Sequence, residues 1–79
     1  MLDLSKKRIF VSGAGAGIGK SVSILAREAG ATVLATDKDE RSLSELGRSK
    51  IKTAVLDVTD KDAVQNFFTH QKAFDGLVN

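Results

Sequence analysis

The chain has no cysteine, no proline, no tryptophan and no tyrosine among its 79 residues. Without cysteine it has neither a disulfide framework nor a thiolate metal site, and a small domain must then rely on a thin hydrophobic core. Without tyrosine it has no phenol for proton transfer. With no proline, no repeat and no low-complexity stretch, nothing marks a linker, and one continuous fold unit is expected over residues 1–79. No apolar run approaches the length of a membrane span. At the N-terminus, Lys6, Lys7 and Arg8 precede only Ile9 to Val11 before Ser12 and Gly13 interrupt, which does not read as a signal peptide. A soluble, cytoplasmic chain is the expectation. A formal charge of +2 is spread over interspersed acids and bases, as on a solvated mixed surface, so neither a nucleic-acid nor a membrane partner is expected.

What is present is an alternation. Arg8 to Val11 is a short apolar run ended by Ser12 and Gly13, as a buried strand would be. From Gly17 to Ala29, Ile18, Val22, Leu25, Ala26 and Ala29 recur at helical spacing, with Gly30 placed as a C-terminal cap. Ala31 to Thr36 lacks polar alternation and reads as a strand covered on both faces. A short helix is expected over Glu40 to Leu46, stopping at Gly47, and a strand over Ile51 to Leu56. Thr59 or Asp60 can cap a third helix with the stripe Ala63, Val64, Phe67 and Phe68, and Phe74 to Asn79 begins a fourth strand. Strands and helices alternating at this spacing predict an α/β fold with a parallel sheet and right-handed crossovers. The strand order 3-2-1-4 is that of half a Rossmann sheet, with the first two helices on one face, the third on the other, and an exposed apolar edge at the fourth strand.

Ser12 to Ser21 reads SGAGAGIGKS between a strand and a helix, where glycine lets backbone approach a phosphate and the helix N-terminus offers N–H groups. A tight turn also needs glycine for its own sterics. Spacing separates three signatures. GxGxxG fails from Gly13, where the last position is Ile18, and from Gly15, where it is Lys20. The P-loop pattern GxxxxGK[ST] fits Gly19, Lys20 and Ser21 but puts Ala14 at its first glycine. TGxxxGxG fits with Ser12 in the threonine place and Gly13, Gly17, Ile18 and Gly19 in register.

In this third pattern the chain resembles the N-terminal part of the short-chain dehydrogenase/reductase family. Asp37, 18 residues beyond Gly19, stands where an acid meets the adenosine ribose, a carboxylate that accepts from ribose hydroxyls and repels a 2′-phosphate. The resemblance therefore implies NAD as cofactor, and Ala16 in the loop agrees, since members that use NADP usually have a basic residue in the loop or in place of the acid. Lys38 adjoins the acid. Asp57 and Val58 look like the family's Asp-Val pair at the adenine ring, although Asp57 also suits a helix cap or a Walker B strand. Leu77 to Asn79 resembles the start of its LVNNAG segment, with Asn79 as the first asparagine, near the ribose.

The cofactor residues so implied are Gly13, Ala16, Gly17, Ile18, Gly19, Asp37, Lys38, Asp57, Val58 and Asn79. The family's catalytic Tyr-x-x-x-Lys pair is missing. The implied parent is an oxidoreductase, assembled as a homo-oligomer, that exchanges hydride between NAD(H) and a small alcohol or ketone. The expected chain is its nucleotide-binding segment, truncated before the catalytic residues. The short second helix looks similar to the branch with hydroxybutyrate and sugar-acid dehydrogenases. A non-catalytic nucleotide-binding module and a P-loop hydrolase fragment stay open. His70 is expected at the surface, Phe67 and Phe68 in packing, and Asp60 and Asp62 at a helix N-terminus rather than as an acid/base pair.

Overall fold

A computed structural model of the chain describes residues 3–79. Four strands alternate with helices: β1 (Arg8–Val11), α1 (Gly17–Glu28), β2 (Thr32–Asp37), a 3₁₀ turn (Arg41–Leu43) running into α2 (Ser44–Arg48), β3 (Lys52–Val55), α3 (Lys61–Thr69) and β4 (Gly76–Val78). All strand pairs are parallel and the order is β3-β2-β1-β4, as the alternation predicts. Val11 pairs with Ala35 on one side and Val78 on the other, while Asp37 pairs with Val55. The carboxyl ends of the strands therefore share one edge. The turn from β1 into α1 lies there, beside the reversal of strand order between β1 and β4.

Alternation along β1 separates the two faces. Val11 joins Ala26, Val33, Ala35, Leu43, Leu46 and Ile51 in one buried cluster, with Ile9, Ile24 and Val78 packed against it. Here α1 and α2 cover the sheet. Phe10 points the other way, and its ring centroid lies 5.0 Å from Phe68, 5.6 Å from Phe74 and 5.9 Å from Phe67. Tilted ring pairs of this kind stabilise by about 1 kcal/mol each beyond their buried area. They attach α3 to the sheet, so Phe67 and Phe68 pack rather than form a stacking platform. Leu77 pairs with Phe10 and so shares its face, but is 69% exposed. The fourth strand is thus the open apolar edge that the topology predicts.

Arg8 fastens the return from α3 to β4. Its guanidinium donates to the carbonyls of Lys72 (2.6 Å) and Ala73 (2.9 Å) and lies over the Phe74 ring, while its amide donates to Asp75 Oδ2 (2.8 Å). Asp60, not Thr59, caps α3 by accepting from the Ala63 amide at 3.1 Å. His70 is the exposed C-cap of that helix, as expected of a surface residue.

The second helix departs from the expected Glu40 to Leu46. It begins as the 3₁₀ turn at Arg41 and ends at Arg48, with Gly47 inside α2 rather than terminating it. Leu43 and Leu46 must both reach the core, and so must Ile51 immediately beyond; the left-handed turn that permits this falls at Lys50 (φ 62°) instead. β2 runs one residue further than Ala31 to Thr36 suggests, making Asp37 its last residue.

Candidate cofactor site

The glycine loop between β1 and α1 owes its path to three residues. Gly13 (φ 62°) and Gly17 (φ 57°) take left-handed conformations that a side chain disfavours, and a Cβ on either would meet nothing within 4 Å. Space is open above both. Gly19 is required for a different reason, since a Cβ there would overlap the carbonyl oxygen of Gly13 and lie 3.0 Å from its carbon and 3.2 Å from Ala14 Cα. Ala14 is itself fully buried, with its amide donating to Thr36 O at 2.9 Å. The loop is thereby tied to β2 and α1 starts directly under it.

No side chain caps α1 at Ala16, and its first turn carries no acid. An open space over positive-φ glycines, beside uncapped helix N–H groups at a favourable dipole, fits a phosphate. Ala16, Gly17 and Ile18 are exposed on this side, Ile18 at 82%.

Asp37 stands at the end of β2 facing the loop. Its Oδ2 accepts from the Gly15 amide at 3.0 Å and its Oδ1 from the Asp39 amide at 3.1 Å. The Asp39 amide, then those of Gly15 and Lys38 and the Lys38 charge, hold the carboxyl below its ordinary value, against an opposing push from burial. It is an anion at neutral pH. Asp57 lies past the end of β3, its Oδ1 accepting from the Thr59 hydroxyl (2.7 Å) and amide (2.9 Å), which also keep it ionised. The side chain thus closes its own turn, as a cap would, with the other oxygen outside that turn.

Gly13, Asp37, Lys38, Leu56, Asp57, Val58 and Thr59 line one open cleft of about 330 Å³. The sequence landmarks of the loop, β2 and β3 therefore converge. A cavity of about 660 Å³ exists elsewhere, on the α3 face among Arg8, Leu34, Lys52, Phe67 and Phe74, but it is the half-covered side of the sheet and carries none of these groups. Ala16, Gly17, Ile18, Gly19 and Asn79 do not line the cleft; they continue the same edge toward β4. Asn79 is joined to the loop by Ser12, whose hydroxyl donates to Asn79 Oδ1 at 2.8 Å, and Ser12 N–H donates to Val78 O at 2.9 Å. Ser12, Gly15 and Ser42 shape this site without having been singled out for it from the sequence. Only the threonine place in TGxxxGxG hinted at the first.

Lys20 separates the remaining signatures. In a P-loop its ammonium would turn to the phosphates, but it pairs instead with Glu45 of α2. Among the described residues no group of three or more His, Cys, Asp or Glu could hold a metal ion, and no helix is long and apolar enough to cross a membrane.

The sequence profile described as short chain dehydrogenase matches residues 7–79. The chain belongs to that family. It is 43% identical over 77 residues to dehydrogenase/reductase SDR family member 6 of Xenopus laevis, covering 96% of this chain and 31% of the relative. It is 40% identical over 78 residues to 2-keto-3-deoxy-L-fuconate dehydrogenase of Xanthomonas campestris, covering 96% and 26%. The crystal structure of a ribose-5-phosphate isomerase from Brucella melitensis superimposes with a TM-score of 0.87 at 30% identity, over 98% of this chain and 32% of that one. The chain thus spans about a third or less of the length of these proteins. Relatives described as a dehydrogenase and as an isomerase share this half-fold, which therefore leaves the reaction open.

Proposed function

We propose that this chain is the nucleotide-binding segment of an NAD-dependent short-chain dehydrogenase, and that residues 1–79 form one partial dinucleotide-binding domain. The observation that carries the reading is the Asp37 carboxylate, ionised and held by two backbone amides at the mouth of the cleft. Its lone pairs outside those two bonds accept from the ribose 2′- and 3′-hydroxyls, whereas a 2′-phosphate would meet like charge. Asp57 and Val58 border the adenine, and Gly13, Ala16, Gly17, Ile18 and Gly19 receive the pyrophosphate at the N-terminus of α1. Lys38 lies at the cleft rim, and Asn79, tied to the loop by Ser12, lies near the adenosine ribose.

When bound, the nicotinamide ring supplies the hydride acceptor or donor. The residues present bind and orient; the absence of tyrosine places the family's proton-transferring phenol outside them. The substrate proposed for the whole enzyme is a small alcohol or ketone, and the likeness to a sugar-acid dehydrogenase supports a hydroxy or keto acid. A homo-oligomeric whole enzyme is part of the same proposal.

Titration of the chain with NADH and NADPH, followed by the fluorescence of the reduced nicotinamide, and with ATP and magnesium, followed by calorimetry, tests the reading. NADH is expected to bind more tightly than NADPH. Asp37→Ala should weaken NADH by about tenfold or more, the loss of one or two charge-assisted hydrogen bonds, while leaving NADPH unchanged or improved. Magnesium-dependent ATP binding that is lost on Lys20→Ala would overturn the assignment.

A further inference from the structure

Gly15 occupies a variable place in the family pattern and has no left-handed backbone, yet it has the most crowded surroundings among the loop glycines. A Cβ there would overlap both the hydroxyl and the Cβ of Ser42 and come 3.0 Å from Asp37 Oδ2. Ser42 belongs to the 3₁₀ turn after β2, and its hydroxyl donates to Asp39 O at 2.7 Å. That same Asp39 donates its amide to Asp37 Oδ1, while Gly15 donates to Oδ2. The Arg41 amide closes the turn on Asp39 Oδ1 at 3.1 Å. The two oxygens of Asp37 are therefore held from opposite sides, one by the loop and one by the turn that Ser42 ties. Between those holders, Ser42 and Gly15 leave no room for even one more methyl group.

We propose that Ser42 is a positioning residue for Asp37, setting the distance between the glycine loop and the end of β2 and thereby the preference for a cofactor with an unmodified 2′-hydroxyl. This rests on the reading of Asp37 as the ribose ligand. Its physical content is steric: the Gly15 amide reaches the carboxylate because the loop settles against Ser42, and a larger residue at 15 is compatible only with a smaller one at 42. Residues 15 and 42 lie far apart in sequence, but act as one unit.

The test is a double-mutant cycle with Gly15→Ala, Ser42→Gly and the double variant, read by NADH and NADPH titration and by NMR titration of the Asp37 carboxyl. Gly15→Ala alone should reduce the preference for NADH over NADPH about tenfold, the loss of one charge-assisted hydrogen bond, and move the Asp37 carboxyl up toward its ordinary value. Ser42→Gly alone should lower the preference by about threefold or more, because the turn loses its tie to Asp39 and the loop loses the side chain it settles against, and an unchanged preference overturns the proposal; the double variant should be no worse than Ser42→Gly, because removing the serine side chain makes room for the new methyl. A merely structural contact would lower thermal stability and leave both the cofactor ratio and the carboxyl titration unmoved. A double variant as impaired as Gly15→Ala overturns the proposal, as does an unshifted Asp37 in Gly15→Ala. Should Gly15→Ala fail to fold, the double variant must fold with near-native Asp37 titration; failure of both also overturns it. If the unmodified chain binds neither dinucleotide, the assigned function falls, while the carboxyl titrations still decide the role of Ser42.

Discussion

Adding one methyl group should have opposite consequences at Gly19 and at Gly47, although both glycines lie inside helices. In a helix interior, alanine is favoured over glycine by about 1 kcal/mol, so propensity alone makes both substitutions stabilising. At Gly47 nothing lies within 4 Å of the new Cβ and the residue is exposed. Gly47→Ala should therefore realise most of that gain, about 0.5–1 kcal/mol. At Gly19 the nearest atoms belong to the backbone of Gly13 and Ala14, which cannot rotate aside, and Ala14 is fully buried. The loop must lift off α1, with an overpacking cost of about 1–3 kcal/mol that outweighs the propensity gain. For a domain of this size each 1 kcal/mol moves the melting temperature by roughly 4–8 °C. Calorimetric or circular-dichroism melts of the two variants should thus shift upward for Gly47→Ala and downward for Gly19→Ala. NADH titration adds the functional half: Gly19→Ala should lose about tenfold or more in affinity as the phosphate cradle deforms, and Gly47→Ala nothing. A Gly19→Ala chain that melts higher than the parent and binds NADH equally well would refute the argument that close approach, not turn geometry, fixes this glycine.

Three other outcomes are expected. Asp60→Ala should cost about 1 kcal/mol in chemical denaturation, since it removes the side-chain N-cap of α3, whereas Thr59→Ala should cost less. The exposed β4 edge predicts that the chain self-associates in analytical ultracentrifugation and that Leu77→Lys reduces this, because a charged edge strand opposes pairing with another chain; a monomeric parent, or association unchanged by Leu77→Lys, would show that the β4 edge is not a contact. Asp37, with its folded value below 3.8, contributes stability that is fully present above the unfolded value and is lost as pH falls through the folded one. The parent's advantage over Asp37→Asn in urea titrations should therefore hold from neutral pH down to the ordinary aspartate range and shrink as the pH falls below it.

The fold was legible because its signals are local and repeated. Apolar runs, helical stripes and strand-terminating glycines mark each element, and alternation then leaves few topologies. The exception is instructive. Gly47 reads as a helix stop in sequence, but the chain turns at Lys50, because the burial of Leu46 and Ile51 decides where the helix must release the chain. Tertiary packing overrode a local preference worth about 1 kcal/mol.

The site was legible to a different depth. Gly13, Gly17 and Gly19 stand out because each has a backbone requirement that excludes side chains, and that requirement leaves its mark at a fixed spacing. Asp37 and Asp57 stand out because parallel strands bring their carboxyl ends to one edge, so an acid just past a strand is delivered to the loop without any further instruction. Ser12, Gly15 and Ser42 carry no such mark. A serine that ties a turn is chemically the same in sequence as the exposed serines of this chain, and a glycine in a variable place is indistinguishable from one tolerated there. What distinguishes them is a contact between residues 27 positions apart, which depends on how closely the 3₁₀ turn packs against the loop. Spacing locates the groups that touch a cofactor; the groups that set their angle are found only when the second layer of packing is known.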